Sequence, residues 1–155
     1  MSIAAIADDG QELAAVIHRP ADAQWLAVSP LGAAGTFTLG TTALTDASAA
    51  LISVGFPHDA SMRPATLEAL GRLMPAVRDF RRTGSAACDL LAVATGTLDA
   101  YVGFNLAPWD YAAGHALVRA AGGHVGVVHL PSGLTAAIGA ATEPLYTPLV
   151  TSLLV

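Results

Sequence analysis

The prediction of the fold starts from residues 81–123, which read RRTGSAACDLLAVATGTLDAYVGFNLAPWDYAAGHALVRAAGG. The first half of this stretch predicts a helix that opens at Gly84-Ser85-Ala86, with Gly96 as a C-terminal stop. Apolar residues recur there at the spacing of one helical face, at Ala87, Leu90, Leu91 and Ala94.

The second half of this stretch predicts a short strand, a loop and another helix. The strand is expected at 98–102 and the loop at 105–108, where Pro108 suits the first position of a helix. Gly122-Gly123 ends that helix. Its inner face carries small and apolar residues, at Ala113, Ala116, Leu117 and Ala120. The order helix, strand, loop, helix indicates an α/β arrangement.

One carboxylate in this stretch suggests chemistry. Asp110 falls in the first turn of the second predicted helix, after a strand-loop crossover. Ligands gather at such loop ends in open α/β sheets. Exposed N–H groups at a helix start keep a carboxylate ionised, and Mg²⁺ prefers such oxygen ligands. The spacing leaves a second interpretation open, in which Asp110 only complements the helix dipole.

The same residues resemble the C-terminal signature of the inositol monophosphatase family. The resemblance rests on WDYAAG at 109–114, followed by Leu-Val at 117–118 and Ala-Gly-Gly at 121–123. The family's preceding segment is matched in order and spacing by RTGSAA at 82–87 and ATGTLDAY at 94–101. This pattern is far more specific than a lone Trp-Asp pair.

The resemblance implies a Mg²⁺-dependent phosphomonoesterase, often lithium-sensitive, with a layered αβαβα fold. It implies that Asp110 is the catalytic metal-ligand aspartate. It also implies that Gly84, Ser85 and Ala86 form the turn that lines the pocket of a small phosphorylated substrate.

Two departures from the family pattern limit what the resemblance implies. The family's N-terminal signature, a loop of the Asp-Pro-Ile-Asp-Gly-Thr type, and the acidic ligand upstream of it do not occur in this chain. At the position of Gly103, inositol-specific members usually carry a glutamate that bonds the sugar hydroxyls. The alcohol part of the substrate is therefore left open: inositol phosphate, another sugar phosphate or a nucleotide-derived phosphate.

Composition excludes several classes of function. The chain has 155 residues, 7 basic and 12 acidic, and a formal net charge of −5. This balance argues against nucleic acid or an anionic membrane as a partner, since both attract basic surfaces. No run is long and apolar enough for a transmembrane helix, and no secretory signal is evident, so we expect a cytoplasmic protein. The single cysteine, Cys88, excludes an intrachain disulfide.

The low charge predicts that much of the surface is covered in the working protein. Charged residues make up 12% of the chain, against about 25% in an average soluble domain. Two compatible explanations are that the chain is a fragment whose N-terminal half once packed on it and that it forms a homo-oligomer. The absence of the family's N-terminal half favours the fragment, and the resemblance aligns the segment 1–4 with an internal strand of the family fold.

The remaining chain predicts a mixed α/β fold in two parts. Residues 1–45 are expected to form an antiparallel meander, the end of the family's N-terminal domain, and residues 46–155 a C-terminal α/β domain. The meander strands are predicted at 1–7, 13–18, 23–29 and 36–39, with a hairpin at 8–10 and a turn at 30–35. The later strands are predicted at 50–55, 77–81, 124–129 and 135–140, and the later helices at 63–74 and 143–154. The helix at 63–74 is predicted to turn one apolar side inward, formed by Leu67, Leu70, Leu73 and Met74.

Three hypotheses for function follow. The first is an inositol monophosphatase-like, Mg²⁺-dependent hydrolase that is inactive alone because most metal ligands are missing. The second is a truncated, catalytically inactive relative that serves as a binding or assembly module. The third, a dinucleotide binder, is weak because no G-x-G-x-x-G follows a strand.

Overall fold

The computed structural model describes residues 1–155 and contains two sheets. The first is an antiparallel meander in the order β1-β2-β3-β4. Side chains alternate between the two faces of a strand, and the first sheet buries its inner face at Ala15, Ile17, Leu26 and Val28. Its strands are β1 (Ser2–Ile6), β2 (Glu12–Arg19), β3 (Gln24–Ser29) and β4 (Gly32–Gly35).

The second sheet is mixed and has the strand order β6-β5-β7-β9-β8. β5 pairs in parallel with both β6 and β7, whereas β9 pairs antiparallel with β7 and β8. All five residues of β7 are buried, as expected of a strand covered on both faces. The strands are β5 (Leu51–Gly55), β6 (Asp79–Arg81), β7 (Ala100–Phe104), β8 (His124–His129) and β9 (Thr135–Ala140).

Four helices complete a layered arrangement. α2 (Ala86–Ala94) and α3 (Pro108–Ala120) contact both sheets, while α1 (Arg63–Leu73) and α4 (Glu143–Leu154) cover the far face of the second sheet. The layers are therefore sheet, helices, sheet, helices, in agreement with the predicted mixed α/β class. No helix of this chain covers the outer face of the first sheet. None of the four combines the length and apolar character needed to cross a bilayer.

The link between the two sheets is held to the second one. The Thr41 hydroxyl donates to the Ala141 carbonyl at 3.0 Å, and the Thr42 hydroxyl donates to the Asp99 carboxylate at 2.7 Å. The other Asp99 oxygen accepts from the Leu51 N–H at 2.8 Å. The two-part division at residue 45 stays a prediction.

The fourth strand lies earlier than predicted. The segment 30–35 was expected to be a turn before a strand at 36–39, but β4 occupies Gly32–Gly35 and pairs with β3. The turn is confined to Pro30 and Leu31, so the hairpin is tight. A Cβ at Gly35 would collide with the backbone of Trp25. The glycine that looked like a turn signal is therefore required by close approach of two strands.

Leu67 of α1 and Met74, which directly follows the last residue of α1, point outward, contrary to the prediction. Leu67 is 61% exposed and Met74 is 56% exposed. The buried stripe consists of Thr66, Ala69, Leu70 and Leu73. Leu67 and Met74 follow Thr66 and Leu73 by one residue, which is about 100° around the helix axis. The buried stripe includes Thr66 and Leu73, so Leu67 and Met74 are turned away from it and are exposed to solvent.

Candidate functional site

Three loops converge at one edge of the second sheet. β5, β6 and β7 run parallel, so their carboxyl ends lie together, and a cleft of about 310 Å³ opens beside them. This is where ligands bind in open α/β sheets. The segment after each strand contributes to the lining. The lining residues are Phe56 and His58 after β5, Arg82, Gly84 and Ser85 after β6, and Leu106 in the loop after β7 with Trp109 and Asp110 in the first turn of α3.

The Asp110 carboxylate uses one oxygen locally and leaves the other free. Oδ2 accepts a hydrogen bond of 3.0 Å from the Ala107 N–H, which closes the first turn of α3. Oδ1 accepts no hydrogen bond from the protein, and the residue lines the cleft. Both interpretations of Asp110 are therefore compatible, because capping occupies only one oxygen.

The predicted turn at Gly84, Ser85 and Ala86 lines the same cleft. Gly84 has a φ of +91°, a conformation that favours glycine. The Ser85 side chain accepts a long hydrogen bond of 3.4 Å from the Cys88 N–H and so caps α2. Ala86 and Ala87 of the first turn of α2 line the cleft, and N–H groups at a helix start attract anions. The structure thus brings all four predicted site residues together.

A second carboxylate, Asp89, lines the cleft and was missed by the sequence reasoning. Asp89 is buried and accepts a hydrogen bond of 2.8 Å from the Thr83 hydroxyl. Burial raises its pKa, against the opposing effects of the hydroxyl and of Arg82. The available signal in the sequence was its position, since Asp89 is the one carboxylate in the apolar helix α2.

The space at Gly103 is occupied by neighbouring side chains. Gly103 pairs with Gly55 in the parallel register. A Cβ at either glycine would overlap the Tyr101 hydroxyl, and a Cβ at Gly103 would also overlap Leu106. Burial raises the pKa of Tyr101, so the phenol stays neutral. A tyrosine hydroxyl therefore lies where a side chain at position 103 would begin.

The three arginines near the site differ in their surroundings. Arg81 pairs with Asp79, and Arg78 is exposed outside the cleft. Arg82 lines the cleft, with its guanidinium 5.2 Å from the centre of the Phe56 ring. Of these three arginines, only Arg82 thus lines the cleft.

The residues present do not complete a divalent metal site. The structure contains no group of three or more His, Cys, Asp or Glu side chains placed to hold a metal ion. Asp110 offers one free oxygen, whereas burial favours the neutral form of Asp89. Mg²⁺ takes six oxygens, commonly from one or two carboxylates, waters and substrate. This chain alone supplies at most a minority of them.

The layers define a mixed α/β protein, and the cleft at the carboxyl ends of its parallel strands is a candidate site for a small ligand. Comparison with known proteins narrows this class. The model of the inositol monophosphatase family matches residues 2–148. The chain belongs to the inositol monophosphatase family.

Several relatives illustrate the match. An inositol-1-monophosphatase of Mycobacterium leprae is 39% identical over 127 residues, which is 79% of this chain and 44% of that protein. The Nus factor SuhB of Escherichia coli K12 is 46% identical over 87 residues, which is 56% of this chain and 32% of that protein. The chain thus spans less than half the length of these curated relatives.

Solved structures agree with the fold. The Mycobacterium tuberculosis SuhB structure superposes with a TM-score of 0.75 at 30% identity, covering 98% of this chain and 62% of that one. The inositol monophosphatase of Anabaena gives a TM-score of 0.80 at 27% identity, covering 94% and 62%. Both matches extend over the two sheets described above.

Proposed function

We propose that this chain carries the phosphate-binding part of a Mg²⁺-dependent phosphomonoesterase that acts on inositol phosphate or a related sugar phosphate. The observation that supports the proposal is a single cleft that joins the free oxygen of Asp110 to the helix start at Gly84, Ser85 and Ala86. The Asp110 carboxylate would bind a cation, and the helix start would bind an anion. Hydrolysis of a phosphate ester requires both kinds of binding.

Different residues of the cleft would bind the phosphate and the alcohol part of the substrate. The first-turn N–H groups of α2 would hold the phosphoryl oxygens, and the Arg82 guanidinium would add charge-assisted hydrogen bonds. Trp109, which is 78% exposed, and the neutral Tyr101 hydroxyl would contact the alcohol part. Magnesium, when bound, would neutralise phosphoryl charge and make a water nucleophilic.

We infer that the remaining metal ligands come from outside this chain. No cluster of three ligating side chains exists among residues 1–155, so water activation has no complete site here. The ligands would belong to a companion segment that packs against this one. Without it, the proposal predicts binding but no turnover.

A binding experiment tests the role of the cleft without requiring turnover. Metal-free titration of the ¹⁵N-labelled chain with inositol 1-phosphate should shift the amide signals of Gly84, Ser85 and Ala86. Without a metal, the Asp110 carboxylate repels the phosphate. Asp110→Asn should then tighten binding about fivefold, close to 1 kcal/mol for a neighbouring charge at the surface.

The matched control is Asp46→Asn, which changes the net charge equally at a remote turn where Asp46 bonds Ser48. This control should leave the affinity unchanged. Equal affinities of Asp110→Asn and wild type, or shifts confined to other loops, would contradict the proposal.

The second candidate function is a binding or assembly module without catalysis. The outer face of the first sheet supports it, because the paired residues Ile3 and Val16 and the neighbouring Trp25 lie there without a covering helix. Relatives named Nus factor SuhB make a non-catalytic role a second proposal for this chain. Exposed apolar patches of this kind mark association surfaces.

Light scattering distinguishes a self-associating assembly module from an isolated monomer. Concentration-dependent association should disappear in the double variant Ile3→Glu, Val16→Lys. It should persist in Leu31→Lys, which alters a fully exposed residue at a hairpin tip. A wild-type chain that stays monomeric over the whole concentration range would count against self-assembly through this face.

A further inference from the structure

The distribution of unpaired positive charge points to a second binding site. All seven basic residues are arginines. Four of them are ion-paired with acidic side chains, as Arg19–Asp22, Arg72–Glu68, Arg81–Asp79 and Arg119–Glu12. The other three are Arg63, Arg78 and Arg82. In a chain with 12 acidic residues, arginines that pair with none of them are free to bind an external anion.

Two of these three arginines line one cleft. A space of about 400 Å³ lies next to the candidate site and is lined by Phe56, Pro57, His58, Arg63, Leu67 and Arg82. No acidic side chain contributes to it. Three of its residues, Phe56, His58 and Arg82, also line the cleft that contains Asp110. The two clefts are therefore neighbours that share a wall.

The shared arginine is held in position. The Arg82 guanidinium lies over the Phe56 ring, 5.2 Å from its centre. Stacking of this kind uses the flat face of the guanidinium and leaves its N–H edges available for hydrogen bonds. Arg63, the first residue of α1, lines the same cleft. An anion in this cleft would have two arginines as donors.

We propose that this second cleft is an anion subsite that binds a second negatively charged group of the substrate. It would be occupied while the scissile phosphate lies beside Asp110 and the α2 turn. The substrate class is thus a phosphomonoester whose alcohol part carries another phosphate, sulfate or carboxylate. This inference rests on the proposed function, since it assigns the first anion to the candidate site.

Arginine favours planar, two-pronged contacts with phosphate and carboxylate oxygens. The exposed Leu67 side chain at the rim would contact the carbon frame between the two anions. The acidic residues Asp89 and Asp110 line only the first cleft. The chemistry of the two clefts therefore differs, with cation and phosphate binding in one and purely anion binding in the other.

The test compares inositol 1,4-bisphosphate with inositol 1-phosphate by calorimetric titration of the metal-free chain. The bisphosphate should bind about tenfold tighter, as expected for one added charge-assisted contact. Arg63→Gln should remove this advantage and leave the monophosphate affinity unchanged, because Arg63 lines only the second cleft. Arg78→Gln is the matched control, an exposed unpaired arginine outside both clefts, and it should keep the full advantage.

Side-chain Nε–H signals in a titration with inorganic phosphate give an independent readout. Saturable shifts of Arg63 and Arg82, without a shift of Arg78, would support an anion site even if inositol 1-phosphate fails to bind and the proposed function is wrong. Equal affinities for both inositol phosphates would overturn the substrate assignment. An equal loss in Arg63→Gln and Arg78→Gln would overturn the subsite, since net charge alone would then explain the effect.

Discussion

The aspartates of the central segment show how position decides the role of a carboxylate. Both Asp99 oxygens accept hydrogen bonds, from Thr42 and from the Leu51 N–H, so this side chain joins the sheet to the preceding link. Asp110 accepts only one hydrogen bond, from the Ala107 N–H. Of these two side chains, only Asp110 lines the cleft and keeps spare acceptor capacity, and this difference supports a ligand role for Asp110 rather than for Asp99.

His115 makes the stability of the chain sensitive to acid. The side chain is 3% exposed, its Nε2 atom has no hydrogen-bond partner, and burial lowers its pKa to about 4. The folded state therefore takes up the proton only near pH 4, whereas the unfolded state takes it up near pH 6.5. The contribution of neutral His115 to the free energy of unfolding is therefore lost as the pH falls from about 6.5 to about 4, by about 3 kcal/mol in total.

The variant His115→Leu tests whether His115 causes the acid sensitivity. His115→Leu should abolish most of the loss measured by urea unfolding between about pH 7 and about pH 4.5. His129→Gln, at an exposed site on β8, should keep the wild-type pH dependence. Parallel pH profiles for wild type and His115→Leu would show that another group causes the acid sensitivity.

At the scale of elements, the contact between α2 and α3 depends on Gly114. A Cβ at this position would overlap the Cβ of Leu90. Since Leu90 is fully buried, it cannot move aside without disturbing α2. Gly114→Ala should destabilise the fold by about 1–3 kcal/mol, the range for an overpacked core, measured by denaturant unfolding.

Gly71, unlike Gly114, has room for a side chain. It lies in α1 with nothing within 4 Å of an added Cβ. Gly71→Ala should therefore stabilise the chain by up to about 1 kcal/mol, since alanine is the better helix former. A Gly114→Ala variant as stable as Gly71→Ala would contradict the tight packing described for α2 and α3.

Helix starts were predictable because each has a local chemical signal. Ser85 caps α2 and Pro108 begins α3, as the sequence indicates. Strand positions were less predictable, because pairing partners decide them. β7 was expected at 98–102 but occupies Ala100–Phe104, since Asp99 is used to bond the link and pairing starts opposite Ile52 at Ala100.

The candidate site was predictable only in part, for a reason that belongs to the whole molecule. The motif residues Gly84, Ser85, Ala86 and Asp110 are close in sequence, so a family resemblance could bring them together. Arg63 on α1 reaches this region only because β5, β6 and β7 end at one edge. No local pattern specifies that convergence.

The layering also explains why a single chain offers an incomplete site. The second sheet is covered on both faces, whereas the first sheet carries helices of this chain on one face only. The expected αβαβα arrangement would place a further helical layer on the open face. Under the proposed function, the same companion segment would cover the apolar surface and supply the absent metal ligands.

Phosphate release from inositol 1-phosphate in millimolar Mg²⁺ measures whether this chain needs a companion segment for turnover. The assay compares the chain alone with the chain mixed with the part of the Mycobacterium leprae inositol-1-monophosphatase that it does not match. We predict no release by the chain alone, release by the mixture, and a return to background with Asp110→Asn. Release by the chain alone that persists in Asp110→Asn would contradict the account.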